Sequence, residues 1–133
     1  MLFNLFKRKN KNSALSEAET QWNKMWDSWV EGKIASPFKE LMTYQSEVNN
    51  GGHLQYFDNT QNISNLKEEM LSLNEILPDI FKKNLAVAYN AYVLFEQDEL
   101  NEEAEATMEK CDNIFFENEK EINDILEAFC KTL

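Results

Sequence analysis

Apolar residues recur along most of this chain at helical spacing. Trp22, Met25, Trp26, Trp29 and Val30 follow the i, i+3, i+4, i+7, i+8 pattern of one helix face. Upstream, Ser16 and Glu19 have capping-box spacing and Leu15 is placed to staple onto the first turn, so a helix is predicted over 16–32, ending near Gly32. A second helix opens at Ser36 with Pro37 in its first position. It carries Phe38, Leu41, Met42, Gln45 and Val48 as far as Asn49. Asn50-Gly51-Gly52 stops it, and a short helix over 53–59 turns Tyr56 and Phe57 inward.

After the polar break at Thr60-Gln61-Asn62, a helix from about Ser64 aligns Leu66, Met70, Leu73 and Leu77. Pro78 is expected to open the next, because an interior proline costs about 3 kcal/mol. That segment, 79–96, holds Ile80, Phe81, Leu85, Val87, Ala88, Ala91, Val93 and Leu94 and is apolar almost all round, so it is predicted to be the central helix. Two further helices are predicted. One runs from a cap at Asn101 to about Phe116 and buries Ala104, Met108, Cys111 and Phe115. The other covers about 119–132 and buries Ile122, Ile125, Leu126 and Phe129. The expected fold class is all-α, a compact single-domain bundle of about six or seven helices over 14–133 with short connections. Residues 1–13 are expected to form a mobile basic leader, in which a few apolar residues precede Lys7, Arg8, Lys9 and Lys11.

Composition agrees with a helical fold, since 3 Gly and 2 Pro leave little for the tight turns of an all-β chain. Charge changes the picture more. There are 13 basic and 24 acidic residues, a net charge of -11. Residues 1–66 cancel at seven of each sign, so the whole excess falls in the second half. Such a surface repels nucleic acid and anionic membrane and attracts basic protein surfaces. No apolar run reaches the ~18 residues of a membrane span, and no secretory leader is present, so a cytoplasmic location is expected. Cys111 and Cys130 lack metal or redox spacing and are expected to be reduced core thiols.

Catalytic and metal chemistry find little support. A dinuclear carboxylate centre needs two Glu-x-x-His pairs, and the chain has a single histidine, His53, with no Glu three residues before it. There is no phosphate-binding loop, no zinc spacing and no nucleophile marked by a neighbouring base. Neither an enzyme nor a cofactor is expected.

The densest group of special residues is 47–59: Glu47, Asn49, Asn50, Gly51, Gly52, His53, Gln55, Tyr56, Phe57 and Asn59. It reads as a helix end, two residues tolerant of positive φ, and a restart that plants an aromatic pair in the core. Asn49 or Asn50 could cap the restart, and Glu47 and Gln55 are near enough to bond freed backbone groups. This segment resembles the signature of a bacterial family of unknown function whose named example is a DNA mimic protein. A Glu, an Asn-Gly-Gly corner and an aromatic pair recur in that signature, and the looser likeness runs from about Ser16 to the C-terminus. His53 stands where the pattern has an aromatic, usually Phe. The resemblance implies an all-helical fold and, for the mimic, binding to a DNA-binding protein in place of its DNA.

The carboxylates of the last third fall in stripes. Glu102, Glu105, Glu109 and Asp112 are spaced 3, 4, 3 and centre roughly 120° from the apolar stripe. Glu117, Glu121 and Asp124 repeat the spacing 4, 3. Each stripe sets one carboxylate about every 5 Å, against one phosphate per ≈ 3.4 Å of a DNA strand, so mimicry requires both stripes, or a homodimer, to share a face. The leading expectation is an acidic module that occupies the DNA-binding surface of a regulator or another basic protein. The alternative is an adaptor or immunity-like module that uses the groove beside Gly51 and Gly52, with an acidic surface serving only solubility.

Overall fold

The computed structural model describes residues 15–133. The basic leader lies outside the described residues. Five helices occur among them: α1 (Glu17–Val30), α2 (Phe38–Ile63), α3 (Leu66–Ile76), α4 (Asp79–Gln97) and α5 (Glu102–Cys130). The all-α class holds, and the number of helices falls below the six or seven expected.

Local chemistry explains most boundaries. Ser16 Oγ accepts from the Glu19 amide at 3.1 Å and starts α1. Gly32, at φ 74°, ends that segment in the left-handed region. Asn101 Oδ1 accepts from the Ala104 amide at 3.0 Å and starts α5. Asn65 caps α3, taking the Glu68 amide at 3.2 Å. The opening of α2 differs from expectation. Pro37, joined to Ser36 by a cis peptide, precedes α2 rather than occupying its first position, and the Ser36 hydroxyl donates to the Glu40 carboxylate instead of capping.

The predicted break at Gly51 and Gly52 is present as a corner of non-helical backbone, after which the helix over 53–59 resumes without a loop as the second half of α2. The expected polar break at Thr60-Gln61-Asn62 is absent, since that half continues to Ile63. The two C-terminal helices are one continuous helix, α5. Nothing between Phe115 and Ile122 forbids helix, and these two residues, one heptad apart, are both fully buried, so a single apolar stripe crosses the supposed junction.

The centre of the bundle also differs. α5 packs against α4, α2 and α1, whereas α4, predicted to be central, leaves Ile80, Val87, Val93 and Leu94 exposed. Tyr44, Tyr56, Phe57, Phe81 and Phe115 are the largest fully enclosed side chains of the core. Phe115 meets Tyr44 edge-on at 5.4 Å and Phe81 at 5.8 Å, tying α5 to α2 and α4. Each fully buried ring of this kind stabilises the fold by about 2 to 3 kcal/mol. Trp22 and Trp26 belong to the core as the stripe implied, while Trp29 is half-buried and donates through Nε1 to Thr43 Oγ1 at 3.1 Å. Cys111 and Cys130 are free and buried, and burial pushes both thiols up from their ordinary range. No described helix is long and apolar enough to cross a membrane.

Candidate protein-binding face

At the corner of α2, Gly52 adopts φ 75°, ψ -175°, a region open in practice only to glycine, and this re-aims the chain after Asn50. Restarting a helix leaves amides without intrahelical acceptors. The expected caps, Asn49 and Asn50, do not supply one. Asp112 of α5 does: its Oδ1 accepts from the His53 amide at 2.8 Å and from His53 Nδ1 at 2.6 Å. With Nδ1–H donating to Asp112, Nε2 is left to accept from the Tyr44 hydroxyl at 2.6 Å. Burial, and then the charges of Tyr56, Cys111 and Asp112, hold the Tyr44 hydroxyl well above its usual pKa, so it remains a donor. Tyr44 and His53 are both fully enclosed, and both ring nitrogens of His53 are engaged. The chain Tyr44, His53, Asp112 thus fastens both halves of α2 to α5.

The other signature residues form a second clasp. Glu47 Oε2 accepts from Gln55 Nε2 at 2.9 Å and from Asn59 Nδ2 at 2.8 Å, bridging the corner through side chains rather than through the freed backbone groups expected. Asn49 Nδ2 donates to the Gln45 carbonyl at 3.0 Å and to Glu119 Oε2 at 2.6 Å. Gln45 Nε2 reaches Glu119 Oε2 at 3.0 Å and Asn123 Oδ1 at 2.8 Å. Asn50 and Gly51 are exposed at the tip, and Tyr56 and Phe57 are fully buried behind it.

The predicted acidic face lies entirely on α5, but not as two adjacent helices. Glu102, Glu105, Glu109, Glu117, Glu121 and Asp124 are exposed. On one straight helix the centres of the two stripes stand about 105° apart, so they form two flanks of a ridge rather than a single band. Asp112 is only partly exposed and is committed to His53. Asp124 pairs with Lys120 at 3.0 Å. Spacing did not single out Glu119 or Tyr44, although it did put Gln45 on the inward stripe of its helix, where it is buried. The helical wheel carries a signal for the first of these, since Asp112 and Glu119 both fall within roughly 65° of the core direction, at the boundary where inward bonds form.

A second polar cluster was also not anticipated. Glu40 is buried, with Oε1 bonded to Ser36 and Oε2 without a partner. Glu69 stands near it, its carboxyl raised by burial and by the Glu40 charge, and lowered in part by the bond from Ser64 Oγ at 3.1 Å. No group of three or more metal-ligating side chains occurs among the described residues. Comparison with known protein families, characterised proteins and solved structures finds no match to this chain.

Proposed function

We propose that the protein is a non-enzymatic interaction module whose α5 ridge engages a basic protein surface, in the manner of the DNA mimic proteins its corner motif resembles. One observation carries the reading. A single 29-residue helix bears ten acidic and two basic side chains. Most of these carboxylates face solvent on a rod anchored along its length by the core.

The eight that are exposed stand about one per 5 Å of axis, sparser than the ≈ 3.4 Å phosphate spacing of a DNA strand. Their placement on two flanks suits a concave basic cleft that contacts both sides of a rod better than a flat surface. A regulator's DNA-binding cleft is such a surface, and the ridge would occupy it in place of the nucleic acid.

The test is capture from a source lysate on the immobilised full chain at low and high salt, in parallel with the Glu105→Lys, Glu109→Lys double variant. Recovery of a DNA-binding protein that is released by salt and lost with the double variant is expected, because the association is electrostatic and exposed. Capture that ignores both salt and charge reversal overturns it. The adaptor alternative would use the groove beside Gly51 and Gly52, where Gln55 is partly exposed with its amide on Glu47 and His53 is enclosed; it is separated by whether Gln55→Ala, rather than the double charge reversal, abolishes capture.

A further inference from the structure

The exposed apolar residues of α4 are not scattered. Ile80, Val87 and Leu94 repeat at heptad spacing and are 42%, 50% and 50% exposed. They form one wall of a groove whose other wall is α5. Depressions of 330 and 440 Å³ meet at Val87 and Thr107 and run from Leu94 to Ile80, with Ile114 exposed at the latter end. Apolar side chains aligned along one groove of a strongly charged chain gain by being covered.

The charge along the groove is polarised. At the Ile80 end stand Lys83 and Lys110, with Glu117 at the outer edge. At the Leu94 end stands Glu103, with the uncharged Asn90 and Asn101. We infer that this groove binds a second copy of the same chain about a two-fold axis through Val87. That axis lays Ile80 of one copy against Leu94 of the other and brings the lysines of each toward the partner's Glu103. It also runs the two α4 dipoles antiparallel. A surface that is apolar along its middle and opposite in charge at its ends is complementary to itself, as a two-fold interface requires.

The groove meets the α5 ridge only at Glu103 and Glu117, which line its two ends. The groove opens on one side of α5, and the Glu102, Glu105, Glu109 stripe faces roughly the opposite way, so association leaves that stripe free.

Sedimentation of the full chain over about a hundredfold concentration range tests it, since the population of a dimer depends on protomer concentration. A monomer–dimer equilibrium is expected. Val87→Lys sets two ammonium groups against each other on the axis and should give monomer throughout with unchanged helical circular dichroism. Lys83→Glu should weaken the dimer about tenfold, because the two-fold repeats each lost pair. Adding Glu103→Lys to Lys83→Glu in the same chain should restore it. A monomer at every concentration overturns the inference, as does a dimer that survives Val87→Lys or a double variant no tighter than Lys83→Glu alone. The Glu105→Lys, Glu109→Lys variant should dimerise normally, which separates this outcome from failure of the ridge.

Discussion

Gly52 has no room for a methyl group. A Cβ there would collide with the Asp112 carboxylate, and the backbone conformation is one that side-chain-bearing residues rarely adopt. Gly32 has a similar positive φ but open space around its missing Cβ. Gly52→Ala is therefore expected to lose about 3 kcal/mol or more and Gly32→Ala about 1 kcal/mol, so the difference between their denaturation midpoints isolates the collision. At Glu69, burial raises the folded-state pKa above the unfolded one. A raised carboxyl contributes stability at low pH that is lost as pH rises through its folded value. Glu69→Gln should thus be slightly more stable than the parent at pH 7. The gain should vanish below the ordinary carboxylate range, about pH 4, in paired thermal melts.

At the scale of elements, α5 departs furthest from what its sequence suggests. Glu117, Asn118, Glu119, Lys120 and Glu121 form an unbroken polar run that looks like a connection. In space the run is the outward and flanking surface of one turn, and the apolar stripe continues beneath it from Phe115 to Ile122. Proline at position 118 distinguishes the two arrangements. Between two helices it would be tolerated; inside one it removes a backbone hydrogen bond and clashes with the preceding turn. Asn118→Pro is expected to destabilise the protein by about 3 kcal/mol or more, read as a fall in melting temperature with loss of helical signal. α4 erred in the opposite direction. Its composition is that of a buried helix, yet α5 covers only one side of it, and hydropathy alone does not reveal which neighbours a helix lacks.

Across the whole molecule, legibility followed sequence distance. Caps at Ser16 and Asn101 and the inward aromatic pair Tyr56 and Phe57 depend on neighbours a few residues away, and the sequence shows them directly. The corner at residues 47–59 was recognisable as special for the same reason. Its supports were not, because Asp112 lies 59 residues beyond His53 and Glu119 lies 70 beyond Asn49, and no periodicity links such positions. For the same reason Asp112 was counted with the surface carboxylates, although it also holds the corner closed.

That double membership ties the histories of two positions together. If Phe replaced His53, the Asp112 carboxylate would lose its imidazole donor and the Tyr44 hydroxyl its acceptor. If Asn replaced Asp112, the charge that receives both His53 donors would be gone. Along any lineage that keeps this corner, residues 53 and 112 should therefore be exchanged as a pair. The carboxylates at 102, 105 and 109 are free of such a tether and can drift as fast as their partner permits.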